Sequence, residues 1–345
     1  MSRKREFKRL ERKRGRLRSS QNFMSEAILQ TIELTKTFTA RRGFFGTKKI
    51  ENVAVNRVSF EIEKGETLGL VGESGCGKST LGLTIMRLYE VDGGNILFDG
   101  NDITKADEKH LKPIRKQMQM IFQDPFAALD PRLTIEQILS EPLEINNIGT
   151  KVERTEICAE LLEKVGLSSE DLQLFPSQFS GGQQQRIVIA RALALKPRLI
   201  ICDEPVSSLD VSVQAQILNL LRDLQDEFGL SYLFISHNIA VTAFMSRRIG
   251  VMYLGKLVEI GTNRQITAAP RHPYTKELLA AMPEPDPSNR EIVTNFKGET
   301  DEITERPKGC VFYKRCPIAE NLCATEEPQL REIGEKRRVA CHFAN

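Results

Sequence analysis

The chain has 345 residues, a length that suits one large α/β domain with an appendage, or two modest domains. Apolar residues make up 40% and charged residues 28%, which favours a packed core over disorder. No apolar stretch approaches the roughly 18–20 residues that crossing a bilayer requires. The basic N-terminus lacks the apolar core of a signal peptide. We therefore expect a cytosolic chain whose role at a membrane would depend on partners.

Positive charge is concentrated at the N-terminus. Residues 1–23 hold ten Lys and Arg against two Glu, a net charge of +8, so residues 24–345 carry −5 of the chain's +3. A basic tail of this kind is typical of contacts with anionic lipid or nucleic acid. We favour a disordered, inert tail, or a start codon assigned upstream of Met24, where globular patterning begins. The mildly acidic body carries no nucleic-acid footprint.

Apolar patterning predicts an α/β chain with a helical insert. The stretch 28–38 is expected to form an edge strand, followed by a basic loop over 41–49. From about 134 to 174 the pattern is helical throughout and predicts an inserted subdomain. Further strands are predicted over 53–62, 67–71, 92–100, 118–123, 199–202, 231–236, 249–253 and 256–260, and helices over 79–88, 182–195 and 213–228.

A phosphate-binding loop lies between a predicted strand and a predicted helix. The sequence matches G-x-x-x-x-G-K-[ST] in full, in the strand–loop–helix context that supports this motif. Glycines let backbone N–H groups surround phosphate oxygens, and the start of the following helix adds partial positive charge. Lys78 is expected to reach the β- and γ-phosphates and Ser79 to bind Mg²⁺. The nucleotide-binding candidates here are Gly72, Glu73, Ser74, Gly75, Cys76, Gly77, Lys78, Ser79 and Thr80.

Two carboxylates end the predicted strand 199–202. Asp203 fits the acid that holds Mg²⁺ in the second motif of such sites. Glu204, one residue later, is placed to polarise an attacking water. Together with the phosphate loop, this strand end predicts a site that hydrolyses a nucleoside triphosphate.

A third segment resembles the signature motif of the ABC-type ATPases. It reads Phe179-Ser180-Gly181-Gly182-Gln183 and opens a predicted helix. Ser180 and the glycine amides therefore present donors and a positive dipole end to a phosphate. In that family the surface faces the γ-phosphate held by a partner subunit, so the resemblance implies that two cassettes close on ATP.

The other motifs of the ABC family follow in order. Gln123 resembles the Q-loop glutamine, which senses Mg²⁺ and water. Asp210 ends a run similar to the D-loop of the dimer interface, and His237 resembles the switch histidine that contacts the γ-phosphate. For the aromatic residue that stacks on adenine, the sequence offers Phe44 or Phe45.

This resemblance covers about residues 28–345 and implies a fold and a set of site residues. The fold is an α/β, ABC-type P-loop ATPase with a RecA-like mixed sheet core, an N-terminal antiparallel β portion and an inserted helical subdomain at about 126–182. We expect the ATPase domain over 24–262 and a Cys-rich extension over 263–345. The implied catalytic residues are Lys78, Gln123, Glu204 and His237. Besides the phosphate loop, the implied nucleotide-binding residues are Asp203, Ser180, Gly181, Gly182, Gln183, Gln123 and Asp210. The implied Mg²⁺ ligands are Ser79, Gln123 and Asp203.

A narrower resemblance concerns the C-terminal extension. Residues 272–276 and 283–287 are similar to the extension of oligopeptide/dipeptide importer ATPases, and 309–317 and 339–343 continue the match. The run 203–216 resembles the F-type more than the D-type subunit of those permeases. One departure is that 298–308 holds fewer prolines than is usual in that family.

Four of the seven cysteines lie in the last 36 residues, namely Cys310, Cys316, Cys323 and Cys341. Structural disulfides are rare in cytosolic proteins, so the cluster indicates a metal or iron–sulfur centre. Structural zinc sites usually start with a tight C-x2–4-C pair, which is missing here. The spacing and the resemblance favour a [4Fe–4S] cluster with a structural role over zinc, and zinc over reduced thiols.

The resemblance implies the ATPase subunit of a di- or oligopeptide importer at the cytoplasmic face of the membrane. Its expected partners are a second, D-type ATPase in a heterodimer, two transmembrane permease subunits and an extracytoplasmic substrate-binding protein. Nickel, glutathione or another small solute is an alternative cargo, because other subunits select it. A soluble ABC ATPase acting on DNA or ribosomes is a distant alternative, and we expect no nucleic-acid partner.

Overall fold

The computed structural model describes residues 27–42, 48–281 and 307–344. Several sequence predictions concern residues outside these ranges: the basic tail 1–23, Phe44 and Phe45, and the proline-containing segment 283–287. Two β-sheets and eleven α-helices are present in the described ranges.

The smaller sheet is antiparallel and has the strand order β2-β1-β4-β5. Its strands are β1 (Ala27–Arg42), β2 (Lys48–Glu63), β4 (Gly93–Phe98) and β5 (Asn101–Asp102). The prediction that the first strand lies at an edge is wrong. β4 pairs along the side of β1 that β2 leaves open, with Leu29 opposite Phe98, and alternation in one segment carries no information about such a distant neighbour.

The larger sheet has the order β11-β12-β10-β9-β3-β8-β7-β6. Its strands are β3 (Thr67–Val71), β6 (Met118–Ile121), β7 (Leu199–Asp203), β8 (Ser231–Ser236), β9 (Arg248–Tyr253), β10 (Lys256–Thr262), β11 (Arg331–Glu332) and β12 (Arg338–Val339). Strands β9, β3, β8, β7 and β6 run parallel. Every residue of β3, β7 and β8 is buried, which explains their continuous apolar runs.

Helices connect and cover these strands. They are α1 (Lys78–Ile85), α2 (Glu108–Gln117), α3 (Pro125–Ala128), α4 (Ile135–Ile145), α5 (Lys151–Lys164), α6 (Gly181–Leu193), α7 (Val211–Phe228), α8 (Ile239–Met245), α9 (Asn263–Ala268), α10 (Pro273–Ala280) and α11 (Asn321–Thr325). Thr134 and Thr150 form capping boxes that start α4 and α5, and Gly229, at φ +64°, ends α7. Helices α3 to α6 share one apolar cluster, so the insert packs as a helical unit. No helix of the described ranges is both long and apolar enough to cross a membrane.

The parallel strands bring the predicted site residues to one edge of the larger sheet. The phosphate loop follows β3, Asp203 ends β7, and His237 follows β8, which lies between β3 and β7. Carboxyl ends of parallel strands share an edge, and ligands of open α/β sheets bind there.

Candidate active site

The phosphate loop is shaped by glycines at places where backbones approach closely. A Cβ at Gly72 would lie 2.1 Å from the Met252 carbonyl oxygen, and one at Gly77 would lie 2.1 Å from that of Ala54. Gly77 also has φ +104°, a conformation that favours glycine. Around Gly75, at φ +78°, no neighbouring atom lies within 4 Å of the Cβ position. The loop is therefore closed toward the protein and open at Gly75, as a phosphate cradle requires.

Lys78 is curled back onto the loop. Its Nζ donates to the carbonyl oxygens of Gly72, at 2.7 Å, and Glu73, at 2.9 Å, and the residue is only 4% exposed. Burial raises the pKa of the neighbouring Cys76 thiol, which keeps that thiol neutral beside the ammonium. Lys78 Nζ is thus held at the centre of the loop by two carbonyl groups of the loop itself.

Ser79 and Asp203 meet across the parallel sheet. The Ser79 hydroxyl donates to Asp203 Oδ1 at 2.9 Å. Burial raises the pKa of the Asp203 carboxyl, and the hydrogen bond from Ser79 only partly offsets this effect. A buried carboxylate with one neutral donor favours a cation nearby. This pair therefore fits the oxygen ligands that Mg²⁺ prefers.

Glu204 contacts the other two predicted catalytic side chains, those of Gln123 and His237. Its Oε2 accepts from Gln123 Nε2 at 3.2 Å and lies 3.0 Å from His237 Nδ1. The Glu204 side chain is 11% exposed and that of His237 is 51% exposed, so the imidazole faces outward. Glu204 also has φ +49°, an unusual backbone conformation for a residue with a side chain. The three side chains form one hydrogen-bonded group beside the phosphate loop.

The signature segment starts α6 away from this group. Ser180 is the N-cap of α6: its hydroxyl accepts from the Gln183 N–H at 3.4 Å, and the Gln183 side chain accepts from the Ser180 N–H at 2.9 Å. Ser180 and Gln183 are exposed. Gly182 packs closely on Val213, since a Cβ there would lie 2.5 Å from Val213 Cγ1. Asp210 caps α7 and accepts from the Val213 N–H at 3.0 Å. Within the described ranges, no hydrogen bond joins residues 180–183 or Asp210 to the phosphate loop.

The four C-terminal cysteines lie near one another, but they do not form a metal site in this structure. Burial raises the pKa of Cys310 to about 11, and charge on Cys323, Cys316 and Cys341 contributes. Cys310, Cys323 and Cys341 are buried, and Cys316 is half-buried. In the described part of the chain, no three His, Cys, Asp or Glu side chains are arranged to hold a metal ion. Four thiols suit an iron–sulfur cluster or zinc by ligand chemistry, while their arrangement here is not that of a formed site.

Sequence reasoning missed the side chains that hold the phosphate loop from outside. Arg315 forms an ion pair with Glu73, and the Tyr274 hydroxyl accepts a hydrogen bond from the Glu73 N–H. These partners lie more than 200 positions from Glu73 in the chain. No local pattern could have indicated the pairing, although the segments of both residues contribute to the C-terminal resemblance.

Comparison with known proteins identifies the family of the chain. Residues 55–207 match the family model described as ABC transporter, and residues 258–323 match the one described as oligopeptide/dipeptide transporter, C-terminal region. The chain is 49% identical over 322 residues to the oligopeptide transport ATP-binding protein AppF of Bacillus subtilis, covering 92% of this chain and 98% of AppF. It is 48% identical to the probable peptide ABC transporter ATP-binding protein y4tS of Sinorhizobium fredii, covering 92% of this chain and 90% of that protein.

A solved structure gives the same result for the fold. The ATP-binding cassette MJ0796, in a dimeric post-hydrolysis state with ADP and Pi, matches with a TM-score of 0.60 and 30% identity, over 68% of this chain and 99% of that one. The fold and site define an ABC-type ATPase that uses ATP and Mg²⁺. The chain belongs to the ATP-binding proteins of ABC transporters, within the group that carries the oligopeptide/dipeptide-type C-terminal region.

Proposed function

We propose that the chain is the ATP-hydrolysing subunit of an ABC importer for di- and oligopeptides. The observation that carries the cargo class is the match of residues 258–323, because this region lies outside the cassette that ABC ATPases share. The 49% identity to AppF, an oligopeptide transport ATP-binding protein, supports the same cargo class.

The geometry supports a division of roles at the nucleotide. Lys78 would leave the carbonyls of Gly72 and Glu73 for the β- and γ-phosphates. Ser79 and Asp203 would hold Mg²⁺, which neutralises charge on the phosphates. Glu204 orients the attacking water, and Gln123 and His237 share its Oε2 so that they respond to the γ-phosphate. Glu204, Gln123, His237 and Lys78 are thus the proposed catalytic residues.

A second cassette would complete the site. The donors at the start of α6 and the cap residue Asp210 make no hydrogen bond to the phosphate loop of this chain, and Ser180 is exposed. We place them at the interface with a partner cassette, where α6 points its amino end at the partner's nucleotide. The F-type character of 203–216 favours a D-type partner in a heterodimer over a homodimer.

An exposed apolar groove supports contact with membrane subunits. It has a volume of about 550 Å³ and lies between the segment from α1 to β6 and the helical insert. Leu88, Phe122 and Ile145 line it and are 50%, 44% and 60% exposed. A surface of this kind on a monomer indicates a docking site. We propose that two permease subunits dock on the two cassettes at the cytoplasmic face of the membrane, one subunit in this groove of each cassette. A substrate-binding protein would deliver the cargo to the complex from outside.

The cysteine cluster is proposed to hold a [4Fe–4S] cluster that fixes the C-terminal extension. Four cysteines that lie near one another within a short, loop-rich segment, three of them buried, support this ligand set. Zinc is the alternative, and the absence of a tight C-x2–4-C pair counts against it.

The test is isolation of the tagged chain from its native membranes in mild detergent, followed by mass spectrometry. We expect two multi-span subunits and a second ABC ATPase, with a peptide-binding protein as the fourth component. A binding protein specific for nickel or glutathione would replace the peptide cargo by one of those solutes. Recovery of ribosomal or DNA-associated proteins in place of membrane subunits would contradict the importer.

A further inference from the structure

The C-terminal extension holds the phosphate loop at one residue, Glu73. Arg315 donates to its carboxylate through two bonds, Nη1 to Oε2 at 3.0 Å and Nη2 to Oε1 at 2.8 Å. The Glu73 backbone N–H donates to the Tyr274 hydroxyl at 2.9 Å. Both the side chain and the backbone of the second loop residue are therefore fixed by a segment that lies outside the cassette.

The Arg315 guanidinium is also fixed by contacts with residues other than Glu73. Its guanidinium carbon lies 5.6 Å from the ring centroids of both Tyr253 and Phe312, and it also forms an ion pair with Glu277. The side chain is only 12% exposed. A guanidinium enclosed in this way loses little freedom when it forms a bidentate pair, so the contact transmits position as well as charge.

Tyr274 is equally rigid. Its ring packs with Tyr253 and Phe312 in an aromatic cluster with centroid distances of 4.6 to 5.5 Å. Tyr274 is completely buried, and Phe312 is 1% exposed. Tyr253 belongs to β9 of the larger sheet, Tyr274 to α10, and Phe312 to the segment that holds the four C-terminal cysteines (310–341, the cysteine segment). The aromatic cluster therefore connects α10 and the cysteine segment to the core. The Tyr274 hydroxyl oxygen accepts from the Glu73 N–H.

Glu73 also contacts Lys78, the residue proposed to bind the β- and γ-phosphates. Its carbonyl oxygen accepts from Lys78 Nζ at 2.9 Å, a bond that must break when Lys78 turns to phosphate. Once that bond is lost, Arg315 and Tyr274 still hold the residue from outside. The loop can then keep its curvature without being reordered by the ligand, and such preorganisation increases affinity.

We propose that Arg315 and Tyr274 are positioning residues for ATP: through Glu73, the C-terminal extension holds the phosphate loop in the conformation that receives the phosphates. Neither residue needs to contact the nucleotide. The proposal concerns the ATP site and does not depend on the cargo. A merely structural contact would lower the stability of the chain and leave its affinity for ATP unchanged.

The test is the Kd of the full-length chain for ATP with Mg²⁺, measured by calorimetry, together with thermal unfolding without nucleotide. We expect Arg315→Met to raise the Kd about tenfold, the size expected for losing a charge-assisted contact. Tyr274→Phe, which removes one oxygen atom, raises the Kd by a smaller factor. Arg315→Lys keeps the positive charge but cannot form the bidentate pair, so its Kd should lie between those of the wild type and Arg315→Met. Turnover at saturating ATP changes less than the Kd.

Two controls separate positioning from stability. Arg198→Met removes another bidentate pair, with Asp99 at 2.7 and 3.1 Å, at the opposite end of β7, and should leave the Kd unchanged. Because Arg315 acts through Glu73, the double variant Arg315→Met/Glu73→Gln should bind ATP no more weakly than the weaker single variant. A Kd within twofold of wild type for both Arg315→Met and Tyr274→Phe would overturn the proposal, as would additive losses in the double variant. If Arg315→Met fails to fold, Tyr274→Phe decides alone.

Discussion

Glu204 is the proposed catalytic residue that joins two others, since Gln123 and His237 both lie within hydrogen-bond distance of its Oε2. Its positive φ places the carboxylate just beyond the end of β7, while its backbone N–H is fixed by the Ile235 carbonyl of β8 at 2.9 Å. A strained backbone held by a neighbouring strand is a common way to preorganise a reacting group.

We predict that Glu204→Gln binds ATP but turns it over at least about a hundredfold more slowly. The amide keeps the size of the side chain and its contact with His237, but it cannot act as a base toward water. The measurement is ATP turnover together with nucleotide retained during gel filtration, where the variant should keep ATP. Lys78→Ala is the comparison, because loss of the loop cation should abolish retention as well as turnover. Turnover of Glu204→Gln near the wild-type rate would contradict the role of Glu204.

At the scale of elements, a buried ion pair attaches the end of the chain to the larger sheet. Glu259 of β10 is completely buried and accepts from Arg337 Nε at 3.1 Å and from the N–H groups of Arg271 and His272 at 3.0 and 2.9 Å. These bonds join β10, the start of α10 and the β11–β12 hairpin. The C-terminal extension is therefore joined to the folded core by several buried hydrogen bonds and not by a single surface contact.

We predict that Arg337→Met lowers the free energy of unfolding by about 3–5 kcal/mol, because the Glu259 carboxylate then stays buried without its counter-charge. Urea denaturation of the full chain measures this change. Arg132→Met removes an exposed pair with Asp130 and serves as the control, with little effect on the midpoint. The double variant Arg337→Met/Glu259→Gln should regain part of the loss, since it removes the uncompensated charge. Equal midpoints for Arg337→Met and Arg132→Met would contradict this account.

The cysteine segment allows a prediction about metal content. Protein purified without oxygen should carry about four iron and four sulfide per chain, and Cys323→Ser should lose them. Cys158→Ser is the control, because that buried thiol belongs to the helical insert and its pKa is raised to about 12 by burial. Zinc at one atom per chain in the same metal analysis would replace the iron–sulfur proposal.

The parts of this molecule that the sequence predicts well are those coded locally. The strand 67–71, the phosphate loop and the strand 231–236 have the predicted bounds, and the contacts Ser79–Asp203 and Glu204–His237 follow from the order of parallel strands. Two other features depend on pairing between segments that are distant in the sequence. They are the interior position of β1 in its sheet and the ion pair between Arg315 and Glu73. Such contacts are set by the packed tertiary structure and leave no periodic trace in either segment.

For the whole molecule, the exposed start of α6 is the feature that one chain leaves unexplained. Ser180 and the following amides form a helix N-terminus suited to a phosphate, yet they do not reach the phosphate loop of their own chain. The site completed by a second cassette, as proposed above, would account for this arrangement. The cassette MJ0796, which has the same fold, is itself dimeric in a post-hydrolysis state with ADP and Pi.

We predict that Ser180→Arg, in the complete transporter, reduces hydrolysis at the partner cassette more than at the phosphate loop of this chain. The arginine blocks the donors that would face the partner's nucleotide, while the contacts of Lys78, Ser79 and Asp203 are left intact. The measurement is covalent labelling by a photoreactive ATP analogue after vanadate trapping, with each ATPase subunit resolved on a gel. Ser180→Thr, which keeps the capping hydroxyl, is the matched control and should label both subunits as in wild type. Label lost equally from both cassettes, or mainly from this chain, would count against a site shared in this way, because the damage would then follow the chain that carries the substitution.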